Sequence, residues 1–165
     1  MKDRPRIRIE STSSDQKIDI IIIVMTILLV AIPLFYYFRL PDIIPVHFDG
    51  ASNIDGFGPK VIIWVIPIIG LLTYFSLRYL MDKPHLYNYP TTVTQENAEG
   101  LYRSGVKMMR YLLLITQLTY LTIVGAVLYA ALHPGKNILG PWFFISILLI
   151  SVLAPIVMAY KMSNK

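Results

Sequence analysis

Few side chains in this sequence could do chemistry together, and the densest group lies between residues 40 and 60. His47, Asp49 and Asp55 follow a His-x-Asp-x5-Asp spacing. An imidazole and carboxylates at such intervals could ligate a divalent metal, tie a loop into shape, or present a recognition surface. All three readings stay open, because the spacing is far less specific than a paired Cys-x-x-Cys. From Ile44 to Asp49 the residues alternate. An extended chain puts Ile44, Val46 and Phe48 on one face and Pro45, His47 and Asp49 on the other. Asn53, Asp55-Gly56 and Gly58 supply turn chemistry before Pro59-Lys60 opens the next element. The candidate ligand-facing set is therefore Pro45, His47, Phe48, Asp49, Asp55, Gly56 and Lys60.

Other chemistry is scarce. There is no cysteine, which excludes disulfides, thiol catalysis and cysteine-held metals. No Ser-His-Asp order, zinc-peptidase motif or intramembrane carboxylate pair is present, so neither an enzyme nor a cofactor is expected. Gln117 and Thr119, with Thr116, Tyr120 and Thr122, form a polar stripe in an otherwise apolar run. Such groups usually bond between helices; lining a path through an oligomer is the alternative.

The elements that must position these residues are four apolar runs: Ile18–Phe38, Val61–Leu77, Leu112–Leu132 and Trp142–Tyr160. Roughly 20 apolar residues in a helix cross a hydrocarbon layer about 30 Å thick. The expected fold is an all-α membrane protein of four transmembrane helices, with an ordered extracytoplasmic loop and an amphipathic cytoplasmic helix. The first run ends Phe35-Tyr36-Tyr37-Phe38-Arg39, an interfacial aromatic belt. It reads as a retained span and not a cleaved signal. Pro33 and Pro67 read as packing kinks.

The net charge of +5 is unevenly placed. Twelve of the 15 Lys and Arg residues fall before the first run, between the second and third, and after the fourth. The positive-inside bias then puts both termini and the middle loop in the cytoplasm. It also argues for anionic lipid and against nucleic acid as the partner of this charge. Three regions follow: a basic, mobile cytoplasmic arm (1–17), a three-span region with both long loops (18–132), and a fourth span with a short tail (133–165).

Within the middle loop, Pro84 and Pro90 keep the chain irregular. Thr92 or Thr94 then caps a helix beginning near Gln95-Glu96-Asn97, with Glu99 and Arg103 spaced as an intrahelical pair. The segment Glu96–Arg110 is basic and amphipathic, which suits the inner leaflet or a cytoplasmic protein partner. Asn97, Arg103, Lys107 and Arg110 are the candidates for that surface.

Leu40-Pro41, Ile44-Pro45-x-His47-Phe48-Asp49, Asp55-Gly56-Phe57-Gly58 and Lys60 resemble the signature of the bacterial family called domain of unknown function 1648. Asn88-Tyr89-Pro90, Thr94-x-Glu96-Asn97-Ala98-Glu99 and Tyr102-Arg103 resemble a later segment of that family, so the likeness spans roughly residues 20–130. Ser52 departs from it, standing where the family often has Gly. The resemblance implies a bacterial cytoplasmic-membrane protein similar to the N-terminal part of sporulation-delaying-toxin immunity proteins. Those protect the cell from a secreted membrane-active peptide and hold a cytoplasmic repressor at the membrane. The expectation is a non-enzymatic sensor or immunity factor that meets an extracellular peptide through its outer loop. A small homo-oligomeric transporter or channel is the alternative.

Overall fold

The computed structural model describes residues 4–51, 53–136 and 140, together with 142, 145–146, 149–150, 152–153, 156–157 and 160. The chain is mostly helical. Among the described residues three helices are long and apolar enough to cross a bilayer, as in a multi-pass membrane protein. Much of the fourth expected span, Trp142–Tyr160, lies outside the described residues, as does Ser52; the described positions of that span are helical.

Helix α1, Ser13–Tyr36, starts where Thr12 and Asp15 form a reciprocal capping box. Two otherwise orphaned amides are satisfied there, and the Asp15 carboxylate sits favourably at the positive end of the helix dipole. Pro33 lies inside α1 and Pro67 inside α2, both fully buried, so the breakers face protein. A 3-10 turn, Tyr37–Arg39, ends the first span. Strands β1 (Ile43–Phe48) and β2 (Ile54–Pro59) then form an antiparallel hairpin. The second span enters through a 3-10 turn, Lys60–Trp64, and continues as α2, Val65–Met81.

Helix α3 runs unbroken from Ala98 to Leu132, 35 residues. At 1.5 Å per residue that is about 52 Å, well beyond a hydrocarbon thickness of about 30 Å. The amphipathic segment, which the sequence shows running into the third span, is continuous with it. Nothing between Arg110 and Leu112 breaks the helix, so its polar first half extends the apolar part as one element. The expected Thr94 cap falls in the turn before the helix, where its hydroxyl accepts from the Asn97 amide at 3.4 Å and Asn97 Oδ1 accepts from the Thr94 amide at 2.8 Å. The N-cap itself is Asn97, which makes no side-chain capping bond.

Both α1 and α2 pack on α3. At one end the core joins Leu29, Val124, Val127 and Leu128 to Leu40 and Ile44 of the hairpin region. At the other, Ile22, Met81, Val106 and Leu113 form one cluster, and Tyr89, Ala98, Leu101 and Tyr102 form another. The N-terminal arm is docked across this second end, contrary to the expectation of a mobile tail. Arg4 donates to the carbonyls of His85 and Tyr87 at 3.1 and 2.6 Å, and Tyr102 donates to the Pro5 carbonyl at 3.0 Å. Ile9 packs against both clusters. Carbonyls left open by the irregular 85–87 segment give the arginine its partners, which is why a basic arm can be held.

Candidate functional site

The hairpin is the first candidate. Its apolar face is anchored: Ile44 is fully buried, and Val46 and Phe48 pack on the same core. Burying an isoleucine side chain contributes roughly 1.5–3 kcal/mol relative to water. The pairing runs Ile43 with Pro59, Ile44 with Gly58 and Pro45 with Phe57, then becomes irregular on either side of His47. Those irregularities break the simple alternation. His47 is turned outward, whereas Pro45 is buried. Pro45 and Phe48, expected on the ligand-facing surface, instead belong to the anchoring side.

On the outer side His47 Nδ1 lies 2.5 Å from Asp55 Oδ1, and the two side chains are 70% and 47% exposed. A carboxylate only accepts, so Nδ1 carries the proton in this pair. Gly56 makes this crossing feasible: a Cβ there would fall 2.8 Å from His47 Cβ, closer than packed carbons approach. Asp49 does not join the pair. Its carboxylate accepts from the amides of Ala51 (2.9 Å) and Asn53 (2.8 Å) and from Asn53 Nδ2 (3.0 Å). Hydrogen bonds from the Asn53 side chain and backbone hold its pKa below the usual carboxylate range, with the Ala51 amide and nearby His47 adding to the effect. The His47, Asp49 and Asp55 metal triad is thus not assembled. Among the described residues no group of three such ligands is. Lys60 closes the base of the hairpin, with Nζ 3.0 Å from Asp42 Oδ1 and over the Tyr37 ring. What the outer side offers is an exposed imidazole–carboxylate pair beside Phe57, which is 65% exposed.

The second candidate is the far end of α3. Arg110, expected on a lipid or partner surface, is only 2% exposed. Its Nε is 2.7 Å from Asp19 Oδ1, and its Nη1 is 2.9 Å from Asp15 Oδ1. Ser11 Oγ accepts from Nη2 at 3.3 Å. Helical periodicity puts Arg110 on the face that meets α1, and two carboxylates waiting there make its burial tolerable. Asn97 is turned back on backbone, donating to the Thr92 carbonyl. Arg103 pairs with Glu99 at 3.0 Å, and Lys107 lies over Tyr111; these two remain exposed. Gln117 is fully buried and donates to the Gly70 carbonyl at 2.9 Å, while Thr119 donates to Ile115. Within one bundle, then, Gln117 joins α3 to α2 and does not line an open path.

Sequence reasoning missed Arg4, Asp15 and the tyrosines of the middle loop. Tyr87 and Tyr89 donate to the Leu80 and Pro84 carbonyls, both at 3.0 Å. Burial pushes the Tyr87 phenol up to about 12 and that of Tyr89 further. One signal was available: Asp19 is a lone carboxylate at the edge of an apolar run, and such groups are kept where a partner exists.

A helical multi-pass architecture capped by a hairpin is the class these observations define. Within it, residues 22–71 match the family model described as "Domain of unknown function (DUF1648)". The match takes in the body of α1, the whole hairpin and the first part of α2, and stops before the Asn88–Arg103 segment that also carried the resemblance. No curated protein and no solved structure matches the chain.

Proposed function

We propose that this protein is a non-enzymatic sensor or immunity factor of a bacterial cytoplasmic membrane. In this reading the hairpin faces outward and meets a membrane-active peptide through His47, Asp55 and Phe57. Four helices span the bilayer, and both termini and the middle loop are cytoplasmic; the asymmetric placement of Lys and Arg supports that orientation. One observation carries the proposal. Ile44 of the hairpin packs in one core with Val124, Val127 and Leu128, and the same continuous helix ends in the Tyr102 and Arg110 contacts. A ligand that binds two positions of the hairpin unequally would bias α3, and with it the Arg103–Lys107 face open to a cytoplasmic protein.

The test is survival. Cells expressing the protein are challenged with a panel of membrane-active peptides beside cells without it. Protection that His47→Ala removes at unchanged protein level is the expected outcome. Equal survival with and without the protein across the panel refutes the proposal.

A further inference from the structure

At the end of the bundle remote from the hairpin, a cavity of about 370 Å³ opens between the N-terminal arm, the end of α2 and α3. Its size falls within the range of small-molecule sites, roughly 300–1,000 Å³. Met81 and Val106 give it apolar wall, both nearly buried. Charges of both signs line the rest: Arg8 and Arg78, Glu10 and Asp82. Among the described residues none of these four makes an ion pair. Arg78 has only the Met81 sulfur, 3.8 Å from Nη1. Arg110 also borders the cavity, but its charge is already matched by Asp15 and Asp19.

The level of the cavity matters as much as its charge. The apolar stretch of α1 begins at Ile18, α2 ends at Met81, and α3 turns apolar from Tyr111 onward. All three boundaries meet here, at the height where a bilayer places its phosphates. Two unmatched guanidiniums suit a phosphodiester, and two unmatched carboxylates suit a primary ammonium. We infer that this cavity binds a glycerophospholipid headgroup carrying both groups, a phosphoethanolamine. Its phosphate is held by Arg8 and Arg78, its ammonium by Glu10 and Asp82, and its acyl chains run down beside the helices. The inference is independent of what the hairpin binds.

Native mass spectrometry of the full chain in detergent tests it, with one lipid added at a time. Phosphatidylethanolamine should be retained at least about tenfold better than phosphatidylglycerol. That retention should fall about tenfold both in Arg8→Gln/Arg78→Gln and in Glu10→Gln/Asp82→Asn. Soluble glycerophosphoethanolamine separates the lipid from its free headgroup and should bind far more weakly. Because all four side chains are exposed, both double variants should keep the wild-type circular dichroism and melting temperature. Three results overturn the inference: equal retention by the variants, preference for phosphatidylglycerol, or soluble headgroup binding as well as the lipid. If a variant loses its fold, the wild-type lipid preference still decides.

Discussion

Arg110 and Asp19 lie 91 residues apart in sequence, yet their side chains meet through two bonds, Nε to Oδ1 at 2.7 Å and Nη2 to Oδ2 at 3.3 Å. The pair fastens α3 to α1 where the first apolar run begins. Removing one partner leaves a buried charge uncompensated, which typically costs about 3–5 kcal/mol. Arg110→Leu should therefore lower the melting temperature sharply in detergent. Arg110→Leu with Asp19→Leu should recover part of the loss, because Asp15 then keeps its capping hydrogen bonds to Thr12 but still lacks its cation. Equal melting of Arg110→Leu and wild type would show that the pair does not hold the helices.

The contact at Gly70 makes a second prediction. An added Cβ would run into Leu29 Cδ2 and lie 3.5 Å from Gln117 Oε1. Gly70→Val should separate α1 from α2 and cost about 1–3 kcal/mol, as overpacking does. Gln117→Leu should be far milder, within about 1 kcal/mol. It gives up one hydrogen bond to Gly70 but also removes Oε1, a buried acceptor with no partner. Thermal melts of the two variants side by side check the order; a larger loss for Gln117→Leu would contradict it.

Much of this was legible beforehand, for physical reasons. Long apolar runs such as Ile18–Phe38 leave only one economical structure, so α1, α2 and the apolar part of α3 follow from composition. The alternation Ile44, Val46, Phe48 correctly gave the anchoring face of β1. Pro45 escaped because the irregular pairing beside His47 changes the side on which neighbours emerge, and alternation cannot anticipate that. Arg110 escaped because its partners are far away in sequence. A basic helix face looks the same whether it meets water or carboxylates. That the amphipathic segment runs into the third span follows from its periodicity; its contacts with the N-terminal arm do not, because they join residues far apart in sequence.

The turn that follows β1 should respond to acid. Hydrogen bonds hold the Asp49 pKa below its unfolded value, so the ionised carboxylate stabilises the turn. That contribution is complete above the ordinary carboxylate range and disappears as pH falls through the lower folded value. Hydrogen exchange at the Ala51 and Asn53 amides should stay slow, relative to the unprotected rate, down to that range and accelerate below it. Asp49→Asn should show fast exchange at neutral pH. Protection independent of both pH and the substitution would remove Asp49 from the turn.

The tyrosine end should respond to alkali. Burial raises the Tyr87 pKa to about 12, and that of Tyr89 beyond it. A folded value above the unfolded one means that stability is intact below the ordinary phenol pKa of about 10. It is then lost as pH rises through about 12. Tyrosinate absorbance should rise in two phases, and Tyr87→Phe and Tyr89→Phe should each shrink the later one. A single phase at the ordinary value would mean that these phenols are not buried.

The central claim is that the hairpin and the arm-covered end of α3 lie on opposite sides of a membrane, with the hairpin outside. The natural chain has no cysteine, so engineered thiols report cleanly. Gly50→Cys and Asn88→Cys, each alone, can be exposed to a membrane-impermeant maleimide in intact cells. The account predicts labelling at position 50 and none at 88 until the cells are opened; labelling at 88 with protection at 50 would contradict it.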